Sequence, residues 1–406
     1  MDDLFELSRR IIRQKKRPFK RYLLQQPSFE SPLSILVGQR GVGKTTMIIQ
    51  YMLDSHGNEL SENMLYVPMD HFLVGTRTMF EIADQFEKHG GSLICFDEIH
   101  KYPDWSRELK SINDSLPSLQ VIASGSSILE IRKGSHDLSR RAVVQTLRTM
   151  SFREWLLVRG ICQTPSINLE DLLAGHLQLS SDICELLRAK GTTVLREFAD
   201  YLALGYYPYS IDHKKVDHFY LTLEQSVHAT IENDLPALVP TLTGASIARI
   251  KRLLTLITGL APFQPDMVRL KRSLHIGDER TLKTYLKYLE DGGIIRTLHR
   301  EGKSLNNLDK PDKIYLDNPN LMRAIGGERV NLGSLRETFF MSCFAKKDIS
   351  YPSNGDFCVR RFLFEVGGKN KGFDQIADIE NSWLVLDGIE TGFKNKIPLW
   401  LFGFMY

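Results

Sequence analysis

An α/β fold built on a helix-covered parallel sheet is predicted for the first third of this chain, and three observations carry it. Short apolar runs alternate with segments of helical spacing between Leu33 and Arg159. One run ends in a glycine-rich loop that opens a helix, and another ends in two adjacent carboxylates. A strand–helix succession of this kind packs as parallel strands with helices on the faces.

The elements follow in order. Residues 1–30 read as a basic amphipathic helix and a linker, crowded with Arg9, Arg10, Arg13, Lys15, Lys16, Arg17, Lys20 and Arg21. Two readings of that charge stay open, a solvated helix face or a clamp near a nucleotide or nucleic-acid backbone. Residues 31–159 form the sheet domain. Its strands are SILVG, NMLYVPMD, SLICFDE and LQVIASGSS, and its helices are TTMIIQYML, MFEIADQFEKHG and DWSRELKSINDSL. Residues 160–240 carry leucine-rich helical patterns around the loop GYYPYS, a helical connector. Residues 241–325 read as three helices and a short β-ribbon. Residues 326–406 begin with the helix LRETFFMSCF and continue as strands, with IPLWLFGFMY as a buried final strand.

Composition bounds the function classes. The 406 residues are 42% hydrophobic and 25% charged with a net charge of +3, so any basic patch must be local. Cysteines 95, 162, 184, 343 and 358 form no CxxC pair, and no His/Cys cluster has metal-ligand spacing. That argues against structural zinc and fits a reducing, cytoplasmic setting. The start, MDDLFELSRR, has no apolar signal-peptide core, and no run approaches eighteen uncharged apolar residues, so no membrane span is expected.

The chemistry begins at Gly38-Gln39-Arg40-Gly41-Val42-Gly43-Lys44-Thr45, a full match to GxxxxGK[ST], continued by Thr46. Glycines let successive N–H groups face phosphate, and the following helix adds its positive end. Lys44 is assigned to the β- and γ-phosphates and Thr45 to magnesium, with ATP as the ligand. The strand LICF ends in Asp97, assigned to the magnesium ion, and Glu98, assigned to the attacking water. On VIASGSS, Ser124 is the first choice for a sensor of the γ-phosphate and Ser126 the second. Arg140 and Arg141 follow, with Arg141 favoured as the cation on the transferring phosphoryl group, in cis or from a neighbouring subunit. A surface salt bridge is the competing reading for that arginine.

The P-loop, the run CFDEIHKYPDWSRELKSINDSLPSLQVIASGSS, and later DLSRRAVVQTLRTMSFREW, GYYPYS, KIYLDNPNL, RETFF and FEVGGKNKGFDQI resemble a prokaryotic family of predicted AAA+ ATPases. Those proteins carry a restriction-nuclease-like C-terminal domain of unassigned function. The resemblance covers nearly the whole chain. It implies an ASCE-type P-loop core with the catalytic acid on the strand beside the P-loop, and its motif residues fall on Lys44, Thr45, Asp97 and Glu98. Where the family commonly shows Leu-x-Gly-Arg, this chain reads Leu138-Ser139-Arg140-Arg141, which leaves open which guanidinium acts.

ARIKRLLTLI, PDMVRLKRSL and ERTLKTYLKYLEDGG read as a winged-helix-like module, with Leu282, Leu286 and Leu289 inward and Arg280, Lys283 and Lys287 on the other side. DNA contact by that basic face and a purely structural role stay open, Glu279 and Glu290 weakening the former. The tail resembles a PD-(D/E)-x-K nuclease fold. Glu337, Asp356, Glu365 and Lys369 are its candidate residues, but Glu365 and Lys369 are spaced too widely, and an inactive scaffold is favoured. His100 is read as a packed residue before a phosphate contact, Tyr102 and Trp105 as anchors of a loop, and Cys95 as buried and inert.

Together these features predict an ATP-driven, magnesium-dependent switch or motor, with DNA contact through the winged-helix-like module left open beside a structural role, and self-assembly if the arginine acts in trans. A nucleotide-gated binding module with little turnover is the alternative, and an ATP-regulated metal-dependent nuclease the weaker third.

Overall fold

The structure, a computed structural model, describes residues 1–406 apart from 26–27, 103, 126–137, 139, 301–309, 328–329, 378 and the side chain of residue 238. The chain divides into two compact units, Met1–Thr149 and Met150–Tyr406.

In the first unit, α1 (Asp2–Lys15) turns Leu4, Leu7, Ser8 and Ile12 inward and its arginines outward, the one-sided spacing of an amphipathic helix. The linker departs from the expected solvated basic segment at one position: Arg21 is buried at 1% exposure. The strands β1 (Leu33–Val37), β2 (Met64–Pro68), β3 (Leu93–Asp97), β4 (Gln120–Gly125) and β5 (Ala142–Thr146) form one sheet in the order β2-β3-β4-β1-β5, all parallel. The helices are α2 (Lys44–His56), α3 (Met79–Lys88) and α4 (Trp105–Ser115). Helix α3 starts where Thr78 and Glu81 make a capping box, two orphan N–H groups satisfied reciprocally.

Two expectations are corrected here. A fifth strand, β5, pairs with β1; its sequence AVVQT is mostly half-exposed or exposed, so it lacks the apolar run that marks the other four. The acid-bearing strand is not beside the P-loop strand either. β4 lies between β1 and β3, and the carboxylate is reached across it.

The second unit opens with α5 (Phe152–Val158), capped by a Ser151–Glu154 box. Next come α6 (Leu169–Ala189), α7 (Val194–Leu204) and α8 (Val216–Ala229), the last continued by a π-helical turn, Thr230–Asp234. The GYYPYS loop is tied down by Asn320, whose Oδ1 accepts from Tyr206 N at 3.0 Å and whose Nδ2 donates to Leu202 O at 3.0 Å. Buried loop backbone needs such partners. Helices α9 (Gly244–Leu260), α10 (Met267–Ser273) and α11 (Glu279–Asp291) precede an antiparallel ribbon of β6 (Ile295–Leu298) and β7 (Lys313–Leu316). The expected three helices and ribbon are therefore present.

Helices α12 (Pro319–Gly326) and α13 (Leu332–Ser342) lead into a mixed sheet of β8 (Ile349–Ser350), β9 (Phe357–Val359), β10 (Phe362–Gly368), β11 (Ser382–Asp387) and β12 (Lys396–Pro398), in that spatial order. The expected final strand is mostly a 3₁₀ helix, Leu399–Phe404, although buried as read. Its Phe402 packs on Phe340 of α13 with ring centroids 4.8 Å apart. An apolar run alone does not separate a buried strand from a buried helical turn.

Candidate nucleotide site

The loop between β1 and α2 owes its path to its glycines. Gly41 and Gly43 take φ of 80° and 95°, the left-handed region that favours glycine. Gly38 is needed for closeness: a Cβ there would lie 2.6 Å from Leu147 O. Gly43 caps α2, so Lys44, Thr45 and Thr46 occupy the first turn, where N–H groups lack intrahelical partners and face an anion. Val42 is buried beneath the loop, while Gln39 and Arg40 are half-exposed along it. The Lys44 ammonium lies inside the loop and donates to Gly38 O at 2.9 Å and Gln39 O at 3.0 Å.

Asp97 ends β3 at 3% exposure and accepts four hydrogen bonds. Its Oδ2 takes the Thr45 hydroxyl at 2.7 Å and the Tyr66 hydroxyl. Its Oδ1 takes Glu98 N at 3.0 Å and the Ser124 hydroxyl. The register explains why these groups meet. Phe96 pairs with Ala123, which sets Asp97 beside Ser124, and Tyr66 lies opposite Cys95, two residues back on the same face. Ser124 thus reaches the carboxylate, where a sensor of the γ-phosphate had been expected. Ser126 lies outside the described residues. Tyr66 was not read from the sequence at all; the carboxylate it binds lies 31 positions away.

Glu98 follows with φ 57° and ψ 37°, left-handed backbone that costs a non-glycine residue about 1–3 kcal/mol. Strain of this size persists where surrounding contacts fix it. Burial raises the Glu98 pKa, and the neighbouring Asp97 adds to this; Lys44, Lys101 and Arg40 pull it back. His100 is buried, with Nε2 3.5 Å from Glu98 Oε2. Tyr102 donates to Glu108 at 2.8 Å and Trp105 is buried, as expected of loop anchors. Cys95 is fully buried, and burial pushes its thiol pKa well up.

Arg141 is not brought to this cluster. It grips Asp114 with two bonds, of 2.7 and 3.0 Å. It also immediately precedes Ala142, which pairs with the first residue of β1. The P-loop leaves from the last residue of β1, about 13 Å farther along at strand rise. The same chain's loop is therefore out of its reach, because the strand it introduces runs parallel to β1 and begins at the far end. Arg140 is exposed.

The oxygen donors suit a hard cation. A hydroxyl and a carboxylate stand 2.7 Å apart at Thr45 and Asp97, beside a helix start that favours phosphate, which is the donor set magnesium takes with nucleotides.

In the second unit the tail acids do gather, but not as the nuclease spacing requires. Lys313 Nζ lies 3.1 Å from Glu337 Oε2 and 3.8 Å from Asp356 Oδ1. Glu365 is paired at 2.6 Å with Lys371. Lys369 is exposed, a correction to its candidacy, because the turn after β10 carries Lys371 back over Gly367, where a Cβ would lie 2.6 Å from Lys371 Cβ. Among the described residues no group of three His, Cys, Asp or Glu is placed to hold a metal ion. On α11, Leu282, Leu286 and Leu289 face inward as expected and Arg280 is exposed. Lys283 and Lys287 are spent on Glu279 at 3.0 Å and Asp291 at 2.6 Å. No helix among the described residues is long and apolar enough to cross a membrane.

Comparison with known proteins agrees with the loop. The family model described as an AAA domain matches residues 30–156, and a domain of unknown function matches residues 195–331. An uncharacterized protein of Methanocaldococcus jannaschii is 25% identical over 395 residues, covering 90% of this chain and 81% of its own. Among solved structures, a Saccharomyces cerevisiae Hsp104:casein complex is 12% identical with a TM-score of 0.26, over 72% of this chain and 55% of that one. The replication initiator DnaA bound to AMPPCP and single-stranded DNA is 12% identical with a TM-score of 0.25, over 70% of this chain and 86% of that one. This chain thus spans about half the length of the Hsp104 chain it matches. Scores at that level leave the argument to the loop, the sheet and the family match. By those three, residues 30–156 make up a P-loop AAA domain, a nucleotide-binding module of the ATPase type.

Proposed function

We propose that this chain binds ATP with magnesium at the P-loop and hydrolyses it, working as a molecular switch or motor. The observation that supports this best is the 2.7 Å contact between Thr45 and Asp97, with Lys44 in the loop and Glu98 next in sequence. Gly38 to Thr46 wrap the phosphates with main-chain N–H groups, and Lys44 swings from the loop carbonyls to the β- and γ-oxygens. Thr45 and Asp97 hold the magnesium ion, which neutralises phosphate charge when bound. Glu98 accepts the proton of the attacking water, and Ser124 and Tyr66 keep the Asp97 carboxylate aimed.

A specific observation favours the second reading, a nucleotide-gated binding module with low basal turnover. Arg141 is engaged with Asp114 away from the loop, so an arginine to join Lys44 on the transferring phosphoryl group has to come from elsewhere, including a neighbouring copy. DNA as partner through α11 has less support, since two of its three basic residues are paired within the helix.

Phosphate release from ATP and magnesium, with and without duplex DNA, tests these readings on wild type, Lys44→Ala and Glu98→Gln. Turnover by the wild type alone of the three is the expected result. ATP binding without turnover under either condition favours the gated module, and no ATP binding at all overturns the site.

A further inference from the structure

Arg21 lies outside the segment that matches the AAA domain, in a basic linker whose other cations are on the surface. Lys20, its neighbour, pairs with Asp54 with both side chains about half exposed. Arg21 instead is 1% exposed, and its guanidinium donates to two main-chain carbonyls. Nη1 reaches Val42 O inside the P-loop, and Nη2 reaches Arg148 O at 2.8 Å. Tyr22 secures the same spot, donating to Thr146 O at 3.1 Å at the end of β5. The linker therefore ties the phosphate loop to the stretch that follows the neighbouring strand.

The Val42 carbonyl is a consequential place for that contact. A peptide unit is planar and trans, so the carbonyl of Val42 and the N–H of Gly43 point in opposite directions. A guanidinium on the oxygen fixes the plane of that peptide and turns Gly43 N–H away from Arg21, toward the side a P-loop presents to phosphate. A charged donor on the carbonyl also polarises the amide and strengthens its N–H as a donor. The positive charge stands behind the loop, where burial weakens screening.

We propose that Arg21 is a positioning residue of the nucleotide site, setting the orientation and donor strength of the Val42–Gly43 peptide that receives the nucleotide's phosphates. The proposal rests on the P-loop binding nucleotide as described above. Main-chain donors that hold phosphate in ground and transition states alike contribute to affinity and leave the rate at saturation alone.

The test is equilibrium binding of ATP and ADP to the full chain, with steady-state turnover alongside, for wild type, Arg21→Gln, Arg21→Lys and Lys20→Ala. Arg21→Gln is expected to raise both Kd values in the same ratio, roughly tenfold, the scale of one charge-assisted hydrogen bond. Turnover at saturating ATP is expected to stay within about twofold. Arg21→Lys keeps the charge but not the two-pronged donor, and is expected to fall between. Lys20→Ala is expected to bind as wild type does. Folded Arg21 variants with wild-type Kd values overturn the proposal and leave the site reading intact; a wild type that binds neither nucleotide overturns both. If Arg21→Gln does not fold, Arg21→Lys decides, and an unchanged Kd in that variant refutes the role.

Discussion

The phenol of Tyr66 donates to Oδ2 of Asp97, the same oxygen that takes the Thr45 hydroxyl at 2.7 Å. On the proposed reading, in which the threonine hydroxyl would turn to a magnesium ion, Tyr66 and Ser124 are the side chains that would still hold the carboxylate. Tyr66→Phe removes one of them and changes no charge. The magnesium concentration for half-maximal turnover is expected to rise about tenfold or more, with metal-free nucleotide affinity unchanged, since one hydrogen bond to a carboxylate is worth about 1.5–3 kcal/mol. A magnesium titration at fixed ATP reads this, and an unshifted midpoint removes Tyr66 from the site.

Gly38 offers a stability test of the loop. A Cβ there meets Leu147 O at 2.6 Å and Val42 Cγ2 at 3.2 Å. The first neighbour is backbone and cannot swing aside. Gly38→Ala is expected to cost about 1–3 kcal/mol, the scale of overpacking. The apparent Tm should fall and ATP affinity with it; a wild-type melting curve contradicts the closeness described.

In the second unit, Arg296 pairs with Asp317 at 2.9 Å and donates to Met341 O and Phe344 O, each at 2.9 Å. Removing the cation takes from Asp317, which is 8% exposed, the ion pair with Arg296, and from the Met341 and Phe344 carbonyls the guanidinium they share. Arg296→Met is expected to destabilise this unit by about 3–5 kcal/mol. Denaturant unfolding measures the loss.

Asp3 and Arg77 supply a pH dependence. The hydrogen bond from Arg77 holds the Asp3 carboxyl at about 2, below the usual 3.8; burial opposes it, and the Leu4 N–H and the Arg77 charge reinforce it. A depressed carboxyl pKa means that the ionised form is the one the fold favours. Its contribution is complete above the ordinary value and disappears as pH falls from about 3.8 through about 2. With Asp3 42% exposed, solvent screening keeps that contribution below about 1 kcal/mol. Arg77→Leu should return the Asp3 titration toward 3.8, followed by NMR of the carboxyl carbon.

The sequence exposes those features whose chemistry is local. GxxxxGK[ST] and a strand ending in two acids are each legible within a few residues, and the structure sets Thr45 and Asp97, 52 positions apart, beside one another. Arg21 and Tyr66 escape such a reading because their partners are distant along the chain. The Arg21 contacts span 21 and 127 positions and the Tyr66 contact 31. Nothing about an arginine in a run of basic residues marks it as the one that goes inside. β5 was missed because an edge strand with exposed valines has no apolar run to show. Lys371 was passed over for Lys369 because sequence spacing assumes a straight strand, and the chain turns between them.

Helix α1 lies along β2, an outer strand of the first sheet. Ser8 Oγ of that helix accepts from Tyr66 N at 3.0 Å, answering a donor on the open flank of the strand. Bare strand flanks recruit further strands from other molecules. A fragment cut to residues 30–156 sheds both this cover and Arg21. Such a fragment should self-associate through β2 before any loss of nucleotide affinity can be measured, so the stretch that matches a family domain needs residues ahead of it to stand alone.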